Sequence, residues 1–147
     1  SEEARQASET RLAATYEAAS VGISEIDENG RFLRVNDSLC RITGRSRDEL
    51  LGMTFFDYTD PDDRAEDAEL YARQVHGDIA NYTIRKRALR PDGSVRHLDI
   101  FSSSVRDTEG RFLYGVRVAQ DVTATKRLFD VISTCLTEPS RARSRAG

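Results

Sequence analysis

Apolar and polar positions alternate along five stretches of the chain, and each stretch meets the next at a turn signal or a helical insert. Residues 21–27 and 31–36 flank Glu28-Asn29-Gly30. Asn-Gly is the strongest short hairpin signal, because both residues tolerate φ > 0. Residues 81–90 and 94–106 flank Pro91-Asp92-Gly93, and the second of these turns at Asp107-Thr108-Glu109-Gly110 into residues 111–121. The pattern predicts five strands, most simply one antiparallel sheet. Asn29-Gly30-Arg31-Phe32-Leu33 repeats almost unchanged as Glu109-Gly110-Arg111-Phe112-Leu113, which reads as shared hairpin chemistry rather than duplication.

Helical periodicity fills the remainder. Residues 2–19 lack Gly and Pro, and Leu12, Tyr16 and Ala19 can share a face. So weakly apolar a helix needs a partner surface to be stable. Between the second and third strands, Asp37 is placed to cap a short helix that Gly44 ends. Ser46 and Glu49 make a capping-box pair. Asp60-Pro61-Asp62-Asp63 opens a longer helix that runs to His76 and stops at Gly77. Its expected buried face carries Ala65, Ala68, Ala72 and Val75, joined by Tyr71. After residue 121 a last helix is predicted to about Thr137. Val122, Thr125, Phe129, Ile132 and Leu136 follow a heptad rhythm there, shared by coiled coils and by helices docked on their own domain.

Composition narrows the class. The 147 residues suit one domain, 12–123, with a helical extension at 1–11, a helix at 124–137 and a disordered tail at 138–147. The net charge of −3, from 22 Lys+Arg against 25 Asp+Glu, argues against direct nucleic-acid binding. No run approaches the ~20 apolar residues of a membrane span, and no signal-peptide pattern opens the chain, so a cytoplasmic location is expected. Cys40 and Cys135 are too few and too separated for a disulfide framework or a zinc site. Among enzymatic signals, no phosphate-cradling glycine pattern occurs, and Ser102-Ser103-Ser104 has no His at a recognisable spacing. A non-enzyme is expected, with no metal site.

Several motifs then stand in a telling order. Residues 18–23 (Ala-Ala-Ser-Val-Gly-Ile) and 35–44 (Val-Asn-Asp-Ser-Leu-Cys-Arg-Ile-Thr-Gly) precede Asp48-Glu49-Leu50-Leu51-Gly52. Pro61-Asp62-Asp63, Pro91-Asp92-Gly93 and residues 105–110 follow, and Asp121-Val122-Thr123 closes the series. Together they resemble the PAS sensor-domain family, including its C-terminal PAC-type motif, over roughly residues 11–123. The resemblance implies an α+β fold: a five-stranded antiparallel sheet of order 2-1-5-4-3, a helical insert, and flanking N- and C-terminal helices. The concave face and the insert would enclose a small-molecule cavity. Asp121, Val122 and Thr123 would be the signal junction to a C-terminal helix, leading to an output domain in the parent chain or a partner. Because no kinase, cyclase or DNA-binding motif follows Thr137, the chain reads as a fragment or a stand-alone adaptor. A homodimer through residues 2–19 and the terminal helix is expected.

The same resemblance bears on cofactors. Flavin photoreceptors of the family carry a reactive Cys just after the equivalent of Gly52, where this chain has Met53-Thr54-Phe55-Phe56-Asp57. Haem-binding members supply a His from the long insert helix. Here the one candidate, His76, sits in the last turn, and His97 lies on a strand. Haem and a Cys-adduct flavin are therefore not expected, and the cofactor is left open.

Counting from the family's inward positions places Gly115, Arg117 and Ala119 inside on the last strand. Leu98, Ile100 and Ser102 come from the fourth, Tyr82, Ile84, Lys86 and Ala88 from the third, and Ser24 and Ile26 from the first. Leu39, Ile42 and Phe55 would close the pocket. A buried unpaired cation is costly. Arg117, with Lys86, is therefore expected to anchor a small anionic organic ligand, to pair with an acid of the insert such as Asp57, or, if the strand parity is shifted by one residue, to face solvent. Three functions remain open: a small-molecule sensor in two-component-like signal transduction, a ligandless interaction and dimerisation module, and a haem or flavin redox or gas sensor.

Overall fold

The computed structural model describes the backbone of residues 2–18 and 20–146; side chains 12, 13, 15, 17, 18 and 137–146 lie outside the description. Helix α1 (Glu2–Ala18) leads into β1 (Gly22–Ile26) and β2 (Phe32–Val35). The insert supplies α2 (Asp37–Thr43), α3 (Arg47–Leu51) and α4 (Pro61–His76). A meander of β3 (Tyr82–Leu89), β4 (Val95–Arg106) and β5 (Phe112–Asp121) then passes into α5 (Thr123–Ala146). The strands form one antiparallel sheet in the order β2-β1-β5-β4-β3, the predicted topology. Of the predicted face on α1, the Leu12 side chain and Ala19 fall outside the description. The helix α5 extends past Thr137, where disorder is expected, and the side chains there are outside the description.

All three hairpins use one device, and it differs from the expected pair of positive-φ residues. Asn29 has ordinary negative φ, while Gly30, Gly93 and Gly110 take φ of 85°, 87° and 83°. Asp27 Oδ1 accepts from the backbone N–H groups of Asn29 and Arg31, as Asp107 Oδ1 does from Glu109 and Arg111. At these two hairpins the side chain organises a type I-like turn; Arg90 to Ser94 makes the same backbone bonds without it, and in all three one left-handed glycine returns the chain to the ladder.

Caps set the insert helices. The N-cap of α2 is Asn36 rather than Asp37: its Oδ1 accepts from the N–H groups of Leu39 and Ile23, and its amide donates to the carbonyls of Tyr16 and Val21. Asp37 follows as the first helical residue, where its charge suits the dipole. The Ser46–Glu49 capping box and the Asp60-Pro61 start are as predicted.

The buried face of α4 is not the alanine face. Of the expected side, Tyr71 is buried and Ala68 and Val75 are half-buried, but Ala65 and Ala72 are exposed, and Asp67 and Gln74, four before and three after Tyr71, take the buried positions. The helix is packed through polar Asp67 and Gln74 as well as through Tyr71, Leu70 and Val75, because the sheet opposite offers polar partners.

Candidate functional site

The register of the sheet lays the inner face out in rows. Ser24 of β1, Arg117 of β5, Ser102 of β4 and Tyr82 of β3 are successive cross-strand partners, so one row runs Ser–Arg–Ser–Tyr. The small serines on either side leave room for the guanidinium. A second row joins Gly22, Ala119, Ile100 and Ile84, and Lys86 pairs with Leu98. Phe55, from the loop between α3 and α4, closes over the first row, its ring centroid 3.9 Å from the Arg117 guanidinium carbon.

Every predicted lining residue is buried: Ser24, Ile26, Leu39, Ile42, Phe55, Tyr82, Ile84, Lys86, Leu98, Ile100, Ser102, Arg117 and Ala119. Arg117, Lys86, Tyr82 and Phe55 converge on one point. Ser102 turns instead to Gln74, its hydroxyl donating to Oε1 at 2.7 Å. The aliphatic residues and Ala119 form the surrounding core.

At the convergence stands Asp67, which the sequence reading did not select. Arg117 Nη2 and Lys86 Nζ both donate to its Oδ2, at 2.7 and 2.8 Å, and the Tyr82 hydroxyl donates to its Oδ1 at 2.7 Å. Arg117 Nη1 donates to the Tyr82 oxygen, and Lys86 donates also to Thr59 Oγ1. Pairing of Arg117 with an acid of the insert is therefore as expected, but the example named, Asp57, is exposed and accepts from the backbone of Thr54 instead. A polar residue on the same helical stripe as Tyr71 and Gln74 was the available signal for Asp67.

Burial and charge compete in this cluster. Burial raises the Asp67 carboxyl, but Arg117 and Lys86 outweigh it and hold the group below the usual carboxylate range. Burial and the Arg117 charge bring the Lys86 ammonium down to about 8 despite Asp67. Burial also raises the phenols of Tyr58, Tyr71 and Tyr82, which stay neutral. The rings of Phe55 and Tyr58 face the Lys86 ammonium at 4.9 and 5.4 Å, giving further cation–π support.

The junction is tied to β4 as well as to β5. Val122 N donates to the His97 carbonyl at 2.8 Å, and His97 N donates to Thr123 Oγ1 at 2.9 Å. Asp121 accepts from Thr123, and its other oxygen lies 2.9 Å from Arg96 Nε as an ion pair. Beyond it, Leu128, Phe129, Val131, Ile132 and Leu136 are exposed on α5. His76 is exposed and His97 half-buried; among the described residues no group of three or more His, Cys, Asp or Glu is placed to hold a metal. Neither Cys40 nor Cys135 is in a disulfide.

The family model described as the PAS fold matches residues 10–122. The chain belongs to the PAS family. Among curated proteins, this PAS domain is 32% identical over 120 residues to the probable diguanylate cyclase DgcE of Escherichia coli, covering 82% of this chain and 11% of that protein. It is 27% identical over 129 residues to the sensor histidine kinase TmoS of Ectopseudomonas mendocina, covering 86% of this chain and 13% of TmoS. The PAS domain therefore spans about an eighth of the length of these relatives. Among solved structures, a PAS domain from Colwellia psychrerythraea superposes with a TM-score of 0.71 at 16% identity, covering 78% of this chain and 97% of that one. A PAS domain of an HTR-like protein from Haloarcula marismortui gives 0.66 at 22% identity, covering 82% and 96%. PAS domains are sensory modules of signalling proteins, and no described helix here is long and apolar enough to cross a membrane.

Proposed function

We propose that this PAS domain is the input and pairing module of a larger signalling protein: its core takes up a small molecule and passes the change to an output domain through α5. One observation carries the reading. Arg117, at the centre of the buried polar cluster, lies on the same strand as Asp121, four residues before the hinge that starts α5. A shift of β5 at Arg117 has a short, rigid path to the helix. Its exposed apolar side chains at 128, 129, 131, 132 and 136 suit pairing with a second copy, alongside α1. A ligand transmits only if it favours one arrangement of that helix over another. The relatives named as a sensor kinase and a cyclase support this use of the fold by analogy.

A second reading is a ligandless interaction module. It is favoured by the mutual satisfaction of the core's polar groups and by a groove of about 440 Å³ on the outer face, lined in part by Val21, Thr83, Phe101 and Val118. Mass spectrometry of gently purified protein, denatured at the inlet, separates the two. A stoichiometric retained molecule, or a saturable thermal shift with a metabolite library, is expected. An empty core with no shift would overturn the sensor reading in favour of the second.

A further inference from the structure

Two buried cations share one buried acid. Lys86 and Arg117 are 2% and 4% exposed and Asp67 is fully buried. Both donate to Asp67 Oδ2, while Oδ1 receives only the neutral hydroxyl of Tyr82. Among the described residues no second acid is paired with either cation. Asp63, one turn earlier on α4, is taken up by Arg87, whose Nε donates to it at 3.0 Å. The other elements packed on Lys86 do not restore the balance. Tyr58, Tyr71 and Thr59 bring neutral groups, and Leu98 stands opposite on β4. Arg45, 5.8 Å from the Tyr58 ring, adds a further cation nearby. A charge left unmatched in an interior is relieved by an anion or by loss of a proton.

Of the two cations only the lysine can give up a proton, since a guanidinium stays charged in proteins. Its surroundings suit that loss. Two of its three N–H groups donate to Thr59 Oγ1 and Asp67 Oδ2, and the ammonium otherwise faces the rings of Phe55 and Tyr58, at 4.9 and 5.4 Å. Thr59 commits its own hydrogen to the Phe55 carbonyl, so toward Lys86 it is an acceptor. A neutral amine carries two N–H groups and keeps both hydrogen bonds, so its deprotonation orphans no partner. Burial and the Arg117 charge act in the same direction on the ammonium, and Asp67 only partly offsets them. Asp67 and Asp63 remain ionised and the phenols of Tyr58, Tyr71 and Tyr82 remain neutral, which leaves Lys86 as the group that changes charge.

We infer that Lys86, Asp67 and Arg117 form a proton-operated latch between α4 and the sheet, loosened by an unmatched charge while Lys86 is protonated and closed when that proton is lost. The proton leaves to solvent during a brief opening of α4, because the closed cluster is sealed from water. Nζ keeps the electron pair, and Asp67 is left matched one to one with Arg117. The three residues come from α4, β3 and β5, so the latch ties the long insert helix to two strands of the sheet. What it reads is a rise in pH, an input that needs no ligand and goes beyond the proposed uptake of a small molecule.

Lysine titration and amide exchange test the latch. The chain has two lysines, Lys86 and Lys126, so isotope labelling at lysine Cε gives two NMR signals, which Lys126→Arg assigns. The Lys86 signal is expected to titrate with a midpoint of about 8. Opening of α4 returns this lysine to its ordinary value of 10.5. Between the two values the open state binds more protons than the closed one, so opening becomes rarer as pH rises. After correction for intrinsic exchange rates, opening at the amides of Tyr71 and Gln74 should fall about 30-fold from pH 7 to 9.5, and Lys86→Met should lose that dependence. A Lys86 midpoint near 10.5 would overturn the latch, as would an unchanged pH dependence in Lys86→Met. An equal fall at every protected amide would also count against it, since deprotonation would then stabilise the whole domain rather than the seat of α4. If Lys86→Met does not fold, the lysine titration and the comparison of α4 with β1 amides in wild type decide the matter.

Discussion

Replacing Lys86 by Met tests the excess charge directly. The substitution keeps the chain length against Phe55 and Tyr58 and removes only the ammonium. Asp67 retains Arg117 and Tyr82, and Thr59 still donates to the Phe55 carbonyl at 2.7 Å. In the unfolded chain Lys86 titrates near 10.5 and in the fold at about 8. The folded state therefore binds fewer protons between these values, and stability rises with pH across that window. Below about 8 the penalty is fully present, amounting to about 3 kcal/mol at pH 7. By pH 9.5 roughly 2 kcal/mol of it is relieved. The raised phenols of Tyr58, Tyr71 and Tyr82 work oppositely, since their folded forms hold protons that the unfolded chain loses above about pH 10. Asp67 and Asp63 are held low and do not titrate in this range. All of these are common to both proteins and cancel in the difference. Urea unfolding at pH 7.0, 8.0, 9.0 and 9.5 should show wild type gaining on Lys86→Met by about 2 kcal/mol. Parallel curves would show that Lys86 keeps an ordinary affinity for its proton and that the fold does not penalise its charge.

Other outcomes follow from local geometry. Gly110→Ala should cost about 1 kcal/mol by chemical denaturation, because φ of 83° is its only obstacle. Gly30→Ala should cost more, since its Cβ would lie 2.6 Å from the Phe56 ring. Equal costs would show that Phe56 moves freely. Asn36→Ala removes four hydrogen bonds that join α1, β1 and α2, and should destabilise by about 2–4 kcal/mol; a loss within 1 kcal/mol would mean water replaces the amide. Light scattering on Phe129→Asp/Ile132→Asp should give a lower mass than wild type, and deletion of residues 1–11 should act in the same direction. Unchanged masses would place pairing elsewhere.

The topology was legible because alternation and turn residues are local signals: Gly30, Gly93 and Gly110 mark each hairpin, and the register carries one face inward from there. The inward set was legible for the same reason once the family's parity was applied. Asp67 was not. An acid among the many of residues 57–69 looks like a solvated helix start, and only the sheet opposite, with Arg117 and Lys86, makes burial of that carboxylate favourable. The alanines of α4 misled for the converse reason, since small apolar side chains bury too little area to orient a helix against such partners. Asn36 shows the same limit at smaller scale: Asp37 is as good a cap by residue type, but only Asn carries both an acceptor for two N–H groups and donors for two carbonyls.

The stitching of Thr123 and Val122 to the backbone of His97 makes the base of α5 a bracket fixed to two neighbouring strands. The 24 residues of that helix form an arm of roughly 36 Å at ~1.5 Å per residue. A change of ~5° in the relative twist of β4 and β5, well within the spread that sheets tolerate, would carry its tip ~3 Å sideways. On the proposed reading, a displacement too small to disturb the core packing would thus be magnified at the far end.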